Sequence, residues 1–129
     1  MNYLLDTNII TALIKGEAQA LRHLAAHTED GVYLCQPVYY EAMRGLVWKK
    51  ATAKIATLGR LRSRLGWYLL LDADWEQAGL LWSIAVSKGR QLADIDLLIA
   101  AIALRNDATI VTADNDFDAL PVKRENWRV

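Results

Sequence analysis

The chain has 129 residues, enough for one compact domain with a hydrophobic core and too few for two ordinary domains. Hydrophobic residues make up 53% of it and charged residues 23%, which excludes a disordered chain. The 15 basic and 15 acidic residues cancel, so the total charge does not indicate a nucleic-acid partner. We expect a single domain over residues 1–129.

The first predicted element is a short apolar strand, YLLD (3–6), which ends on the carboxylate of Asp6. Thr7 or Asn8 can cap a helix that runs to about Lys15 and ends at Gly16. A carboxylate at the end of a buried strand needs a partner. Asp6 could bind backbone amides, cap the next helix or hold a cation.

The remaining pattern alternates helices with strands. We predict helices over 17–28, 37–50, 51–65, from Asp72 or Asp74 to Ser87, and over 93–106, and strands over 31–36, 67–71 and 109–113, with a possible short last strand in NWRV (126–129). Strands separated by helices favour an α/β fold with a central, mostly parallel sheet of four to five strands flanked by helices.

The location of the protein can also be inferred from the sequence. Asp6 interrupts the apolar region that a signal peptide would need, and no apolar run reaches the roughly 18 residues that span a bilayer. Cys35 is the only cysteine, which excludes an intrachain disulfide and favours a buried, inert thiol. We therefore expect a soluble cytoplasmic protein without a membrane partner.

Charge is distributed unevenly along the chain. Residues 42–71 contain no acid but seven bases, Arg44, Lys49, Lys50, Lys54, Arg60, Arg62 and Arg64. Acids dominate from Asp94 to Asp118, where Arg105 is the only base. Folded together, the two segments could place a basic wall beside an acidic pocket, which suits a phosphate-rich substrate. The alternative is a solvated basic helix face.

Several acids fall where parallel strands end. Asp6 closes the first predicted strand, and Asp114 and Asp116 follow the strand TIVTA. Glu41 lies about one turn into the helix after the second strand, so it could reach the same edge. Ligands of open α/β sheets bind beyond these carboxyl ends. Singly, Asp114 and Asp116 could be turn residues and Glu41 a surface residue.

Asp96 is the only polar residue in the helical stretch IDLLIAAIAL (95–104). A helix that is apolar nearly all round is buried, and an ionised carboxylate is costly to bury alone. No Lys or Arg lies three or four residues away on that helix. Asp96 could instead favour the helix dipole, and Asp94 is better placed to cap the helix.

Gathered at one edge, four carboxylates would need raised pKa values or a cation, since two of them ~5 Å apart repel by about 3 kcal/mol at an effective dielectric near 20. Oxygen-only ligands favour a hard ion, Mg²⁺ or Mn²⁺. His23 and His27 share one helix at a spacing that could bind a transition metal, but no motif surrounds them, and exposed helix residues are the better interpretation.

In order and spacing, these residues resemble the PIN-domain ribonucleases, in particular the VapC-type toxins of prokaryotic toxin–antitoxin pairs. The resemblance covers nearly the whole chain, in the segments YLLDTNII, VYYEAMRGL, DIDLLIAAIAL, ATIVTADNDF and ENWRV. It implies a PIN-like fold in which an acidic quartet, Asp6, Glu41, Asp96 and Asp114, binds Mg²⁺, with Asp116 as a possible fifth acid. Thr7, Asn8 and Thr112 match polar positions that would orient the carboxylates or the water.

The chain departs from the family pattern around Glu41. Small hydroxyl residues often precede the acid there and Leu often follows it, whereas this chain has Cys35, Val38 and Ala42 at those places. The metal ligand itself is present. The departure therefore concerns the residues that support Glu41.

The resemblance further implies a metal-dependent endoribonuclease that leaves a 5′-phosphate and a 3′-hydroxyl, through a metal-activated water. Candidate RNA-backbone contacts are Arg44, Lys49, Lys50 and Lys54, and Tyr39, Tyr40 and Trp48 could stack on bases or belong to the core or an interface. The implied partners are an RNA substrate, a small cognate antitoxin and a second copy in a homodimer.

Two other functions fit parts of the sequence. A strand ending in Asp-Thr resembles phosphotransfer or phosphatase sites that use the Asp as covalent acceptor, but those sites usually add an Asp where Asn8 stands and a Lys after a later strand, which TIVTA lacks. A catalytically silent PIN-fold binding module would tolerate loss of acids, yet all four expected positions are occupied. The nuclease is the favoured interpretation.

Overall fold

A five-stranded sheet forms the centre of the computed structural model, which describes residues 1–129. The strands are β1 (Asn2–Leu5), β2 (Gly31–Cys35), β3 (Gly66–Tyr68), β4 (Thr109–Val111) and β5 (Arg124–Glu125). Their spatial order is β3-β2-β1-β4-β5, and every neighbouring pair is parallel. The predicted α/β fold with a mostly parallel sheet of four to five strands is confirmed.

Helices connect the strands and cover the sheet. They are α1 (Thr7–Ile14), α2 (Ala18–Ala26), α3 (Gln36–Trp48), α4 (Thr52–Arg64), α5 (Asp72–Ser87) and α6 (Asp94–Arg105), followed by a 3₁₀ helix (Asn115–Ala119). None of the helices combines the length and apolar character needed to cross a bilayer.

The core encloses the central strand from both sides. Leu4 and Leu5 of β1 are both fully buried, and successive side chains of a strand point to opposite faces, so both faces of the sheet are covered. In α6, residues 97–103 are all buried. This confirms the expectation of a buried helix and leaves Asp96, one residue before that run, at the margin of the core.

Two helix caps differ from the prediction. The cap of α1 is Asp6, not Thr7 or Asn8, because Asp6 keeps an extended backbone (φ −79°, ψ 164°) and its side chain accepts a hydrogen bond from the Thr7 N–H. The cap position of α6 is Ala93, so Asp94 lies in the first helical turn and is not the cap.

Two strand predictions are also corrected. The third strand ends at Tyr68 instead of residue 71, because the next residues leave the ladder and the Leu70 N–H donates to the Gln36 side chain at 2.9 Å. The last strand is β5, not NWRV, since Trp127 packs in the core and is fully buried.

Trp127 also explains the two histidines. The rings of His27 and Trp127 stack 4.8 Å apart, and those of His23 and Trp127 stack 5.8 Å apart. Both histidines are therefore half-buried against this ring, which corrects the expectation of exposed residues. Cys35 is fully buried, as predicted, and burial raises the pKa of its thiol to about 12.

Candidate active site

The carboxyl ends of β1 and β4 lie side by side. Leu5 is paired with Val111 in the parallel register, and the Asp6 N–H donates to the Val111 carbonyl at 2.9 Å. The residues that follow these two strands are Asp6 and Thr112. Their side chains therefore begin at the same edge of the sheet, where ligands of parallel sheets bind.

Asp6 is only 3% exposed and accepts three hydrogen bonds. Its Oδ1 accepts from the Thr7 N–H at 2.8 Å, and its Oδ2 accepts from the Thr112 hydroxyl at 2.8 Å and the Asn8 amide at 3.2 Å. Burial raises the pKa of Asp6, and the hydrogen bonds from Thr112 and Thr7 oppose that shift. The result is a carboxylate fixed in one orientation.

Thr112 is the centre of this hydrogen-bond network. Its fully buried hydroxyl donates to Asp6 and accepts from the Asn8 amide at 3.2 Å and the Asp114 N–H at 2.9 Å. The Asn8 side-chain oxygen accepts from the Ala113 N–H at 2.9 Å. One hydroxyl therefore links the strand ends that carry Asp6 and Asp114.

Glu41 reaches the same edge from α3. One of its oxygens accepts a hydrogen bond from the Thr7 hydroxyl, and the other lies 3.6 Å from a guanidinium nitrogen of Arg44. The Glu41 side chain is 27% exposed, so it faces solvent at the rim of the edge. We call the set of Asp6, Glu41, Asp96 and Asp114 the acid pocket.

Asp96, Asp114 and Asp116 form the tightest part of this edge. Each contributes one carboxylate oxygen, and the three oxygens lie within 4.8 Å of one another. Asp96 comes from the first turn of α6, whereas Asp114 caps the 3₁₀ helix by accepting from the Asp116 N–H at 2.8 Å. Asp6 and Glu41 lie outside this group of three.

The charges of the acid pocket affect one another. The pKa of Asp96 is raised to about 7, first by burial and then by Asp6, Asp114, Glu41 and Asp116. No Lys or Arg forms an ion pair with Asp6, Asp96 or Asp114. A set of oxygen donors without a counter-charge fits a hard divalent cation.

Asp116 differs from these acids because it has a cation. The Arg90 guanidinium donates to Asp116 Oδ1 at 2.8 Å, and both side chains are about half-exposed. Arg90 lies between α5 and α6, outside the basic stretch of residues 42–71, so the clustering of bases in the sequence does not reveal it. The available signal is its position after Gly89, just beyond a helix.

The predicted basic residues are brought near the acids only in part. Arg44 lies beside Glu41, whereas Lys49, Lys50 and Lys54 are exposed where α3 meets α4 and form no ion pair. The three lysines form no hydrogen bond or ion pair with the acid pocket. The basic wall is therefore represented at the acids by Arg44 alone.

The three aromatic candidates separate into two groups. The Tyr39 ring packs edge-on against Trp67 with ring centres 5.6 Å apart, which is a packing role. Tyr40 and Trp48 are 58% and 85% exposed and line an apolar groove of about 590 Å³ on α3. Only the latter two remain free to contact a partner. The Tyr40 hydroxyl also accepts a hydrogen bond from Arg44 at 3.4 Å.

Comparison with known proteins places these features in a family context. The sequence profile of the PIN domain family matches residues 3–123. No curated protein sequence matches the chain. Among solved structures, a chain of VapBC2 from Rickettsia felis, bound to a promoter DNA fragment, is similar at 28% identity and a TM-score of 0.90, covering 98% of this chain and 99% of that one.

Two further structures share the fold at lower identity. A chain of VapBC-1 from nontypeable Haemophilus influenzae has 22% identity and a TM-score of 0.85, with 100% of both chains covered. VapC20 from Mycobacterium tuberculosis, a Sarcin-Ricin loop cleaving toxin, has 19% identity and a TM-score of 0.74, with 93% of this chain and 95% of that one covered. The likeness extends over essentially whole chains in all three cases.

Proposed function

The chain belongs to the PIN domain family, and on that premise we propose that it is a Mg²⁺-dependent endoribonuclease, the toxin of a toxin–antitoxin pair. The observation that carries the proposal is the acid pocket, in which three of four carboxylates have no cationic partner. A structural role for these acids would require counter-charges, and a nuclease requires their absence.

The metal ligands proposed are Asp6, Glu41, Asp96 and Asp114, with Mg²⁺ or Mn²⁺ as the ion. Support comes from the donor chemistry, which is oxygen only, and from the raised pKa of Asp96, which reflects repulsion that a cation would relieve. A bound divalent ion would acidify water and stabilise the negative charge that builds on the phosphate. Asp116 is a weaker candidate, because Arg90 already pairs with it.

The polar neighbours have distinct roles in this proposal. Thr112 and Asn8 hold Asp6 Oδ2 by hydrogen bonds, which fixes the direction of its carboxylate. Thr7 holds one oxygen of Glu41 in the same way. The second Glu41 oxygen accepts no hydrogen bond and is the atom we assign to orient the attacking water and take its proton.

RNA is the proposed substrate, acted on in the cytoplasm. VapC20, which shares the fold, is a toxin that cleaves the Sarcin-Ricin loop, and this supports an RNA phosphodiester as the target class. Arg44, Lys49, Lys50 and Lys54 are the proposed backbone contacts, Arg44 from beside Glu41 and the lysines from further along the same surface.

A small antitoxin and a second copy of the chain are the proposed protein partners. VapBC toxin–antitoxin complexes from several bacteria share the fold over whole chains. The protein also exposes large apolar side chains on α5, where Trp75, Leu80, Trp82 and Val86 are 45–62% exposed. Apolar surface of this kind is typical of protein interfaces.

The nuclease proposal is tested with purified protein and a mixed cellular RNA pool, incubated with Mg²⁺ or with EDTA. We expect discrete fragments with 5′-phosphate ends in Mg²⁺ alone, and none from Asp6→Ala or Asp96→Ala protein that is still folded by circular dichroism. Cleavage that persists in EDTA, or in both variants, would contradict the proposed mechanism. Intact RNA in every sample would contradict the proposed activity.

A further inference from the structure

Arg90 is held at the edge of the acid pocket by a fixed backbone. It follows Gly89, which ends α5 with a φ of +71°, and the Arg90 N–H donates to the Ala85 carbonyl at 2.9 Å. Lys88 ties the same helix end to the 3₁₀ helix by donating to the Ala119 carbonyl at 2.9 Å. The Arg90 side chain therefore starts from a well-defined position near Asp116.

The guanidinium of Arg90 is only partly used within the protein. It has five N–H donors, and one of them binds Asp116 Oδ1 at 2.8 Å; the Nε and Nη1 groups donate to no protein acceptor. The side chain is 41% exposed. Several donors are therefore free beside the carboxylates of Asp96 and Asp114, which share a cluster with Asp116.

Other arginines of the chain are more fully engaged. Arg124 donates through Nε to Asp118 at 2.6 Å and through Nη2 to Asn115 at 2.7 Å. The Arg62 guanidinium lies 4.2 Å from the ring centre of Trp67. Arg90 is thus distinguished by a single anchoring contact and by its place next to the acids.

We propose that Arg90 is a phosphate-binding residue of this site, whose free N–H groups bind a phosphate oxygen of the RNA backbone while Asp116 holds the guanidinium in place. The inference rests on the proposed nuclease function. A phosphodiester that approaches clustered carboxylates is repelled by them, and a planar guanidinium at their rim offsets this repulsion with paired donors. Asp116 accordingly belongs to the phosphate contact more than to the metal site.

The test compares Arg90→Ala, Arg90→Lys and Asp116→Asn with wild type and with Arg22→Ala, which removes an exposed Arg on α2 that forms no ion pair. Binding of fluorescently labelled mixed transfer RNA is measured by anisotropy with Ca²⁺ in place of Mg²⁺, at several salt concentrations. Mn²⁺ binding is measured by calorimetry, and cleavage of the same RNA in Mg²⁺ gives kcat and KM.

We expect Arg90→Ala to weaken RNA binding and raise KM about tenfold, the size of one charge-assisted hydrogen bond. The salt dependence of log Kd should fall by about 0.7 for the lost phosphate contact on a single strand. Arg90→Lys should recover part of the affinity, since it keeps the charge and loses the planar fork. Arg22→Ala and Asp116→Asn should bind RNA within about twofold of wild type.

Two outcomes overturn the inference and leave the nuclease proposal intact. One is wild-type cleavage with an unchanged KM and salt dependence in Arg90→Ala. The other is equal loss of Mn²⁺ binding in Arg90→Ala and Asp116→Asn, which would show that Arg90 acts only by positioning Asp116. If wild-type protein neither binds nor cleaves RNA, the proposed function fails and this inference fails with it.

Discussion

Two regions of the molecule bury aspartates in opposite ways. Asp74, in the first turn of α5, is 1% exposed, and its carboxylate accepts from Arg105 at 2.8 and 3.1 Å and from the Leu71 N–H at 2.8 Å. Arg105 also donates to the Leu69 carbonyl at 2.7 Å. This buried charge is neutralised and hydrogen-bonded on both oxygens, and it joins α5 to α6.

The acid pocket lacks such compensation. Asp6 is nearly as buried as Asp74, at 3% exposure, but its partners are a hydroxyl, an amide and a backbone N–H, none of which carries charge. The pKa of Asp96 is raised to about 7. Burial of an acid therefore does not by itself mark a functional site. A missing counter-charge does, because it leaves the charge to be met by something outside the chain.

The largest expected effect comes from Asp96→Asn, which removes the charge and keeps the shape. RNA cleavage in Mg²⁺ should fall by about a hundredfold to a thousandfold, roughly 3–4 kcal/mol of transition-state stabilisation. Urea unfolding in EDTA should show no loss of stability, since a repelled charge has been removed. A variant that keeps wild-type cleavage rates would remove the distinction between the two regions.

Arg105→Ala should act on the opposite property. It leaves Asp74 buried without its cation, which costs about 3 kcal/mol of unfolding free energy. Urea denaturation monitored by tryptophan fluorescence measures this loss, with Arg22→Ala as a surface control expected within about 0.5 kcal/mol of wild type. If Arg105→Ala is as stable as the control, the Asp74 ion pair does not contribute to the stability of the fold.

The pH dependence of stability should come from the acid pocket. The pKa of Asp96 is about 7 in the folded protein, against about 3.9 for an ordinary aspartate in the unfolded chain. The folded state therefore binds more protons between these values, and its stability falls as pH rises from about 4 to about 7. Urea unfolding in EDTA across this range should show a smaller fall for Asp96→Asn. An equal fall in both proteins would assign the pH dependence to other groups.

The smallest expected effects are at the exposed lysines away from both regions. Lys54→Ala and Lys49→Ala should each weaken RNA binding by about twofold, with an effect that disappears at high salt, because these side chains are exposed to solvent. Unfolding free energies should change by less than about 0.5 kcal/mol. A loss as large as that expected for Arg90→Ala would shift the RNA path towards the junction of α3 and α4.

Much of the acid pocket could be predicted from the sequence because its geometry follows from topology. Parallel strands bring Asp6 and the residues after Val111 to one edge, and an isolated acid in an apolar helix identifies Asp96. The fold class follows from the same alternation of elements. Contacts made by single side chains between distant segments could not be predicted in this way.

The Asp74–Arg105 and Asp116–Arg90 ion pairs are examples of this limit. Their partners are separated by 31 and 26 residues, and no periodicity links them. The sequence predicts Asp74 only as a possible helix start. The burial of Trp127 in the stretch predicted as a strand depends in the same way on long-range packing, here against Tyr3 and His27.

The acid pocket should hold a divalent cation because no residue of the chain neutralises it. Calorimetric titration of Mn²⁺ into metal-free wild-type protein, Asp96→Asn and Arg22→Ala at about pH 8, above the raised pKa of Asp96, tests this most directly. We predict saturable binding to wild type and Arg22→Ala, and affinity at least about tenfold weaker in Asp96→Asn. Equal binding by all three proteins, or no binding by wild type, would contradict it.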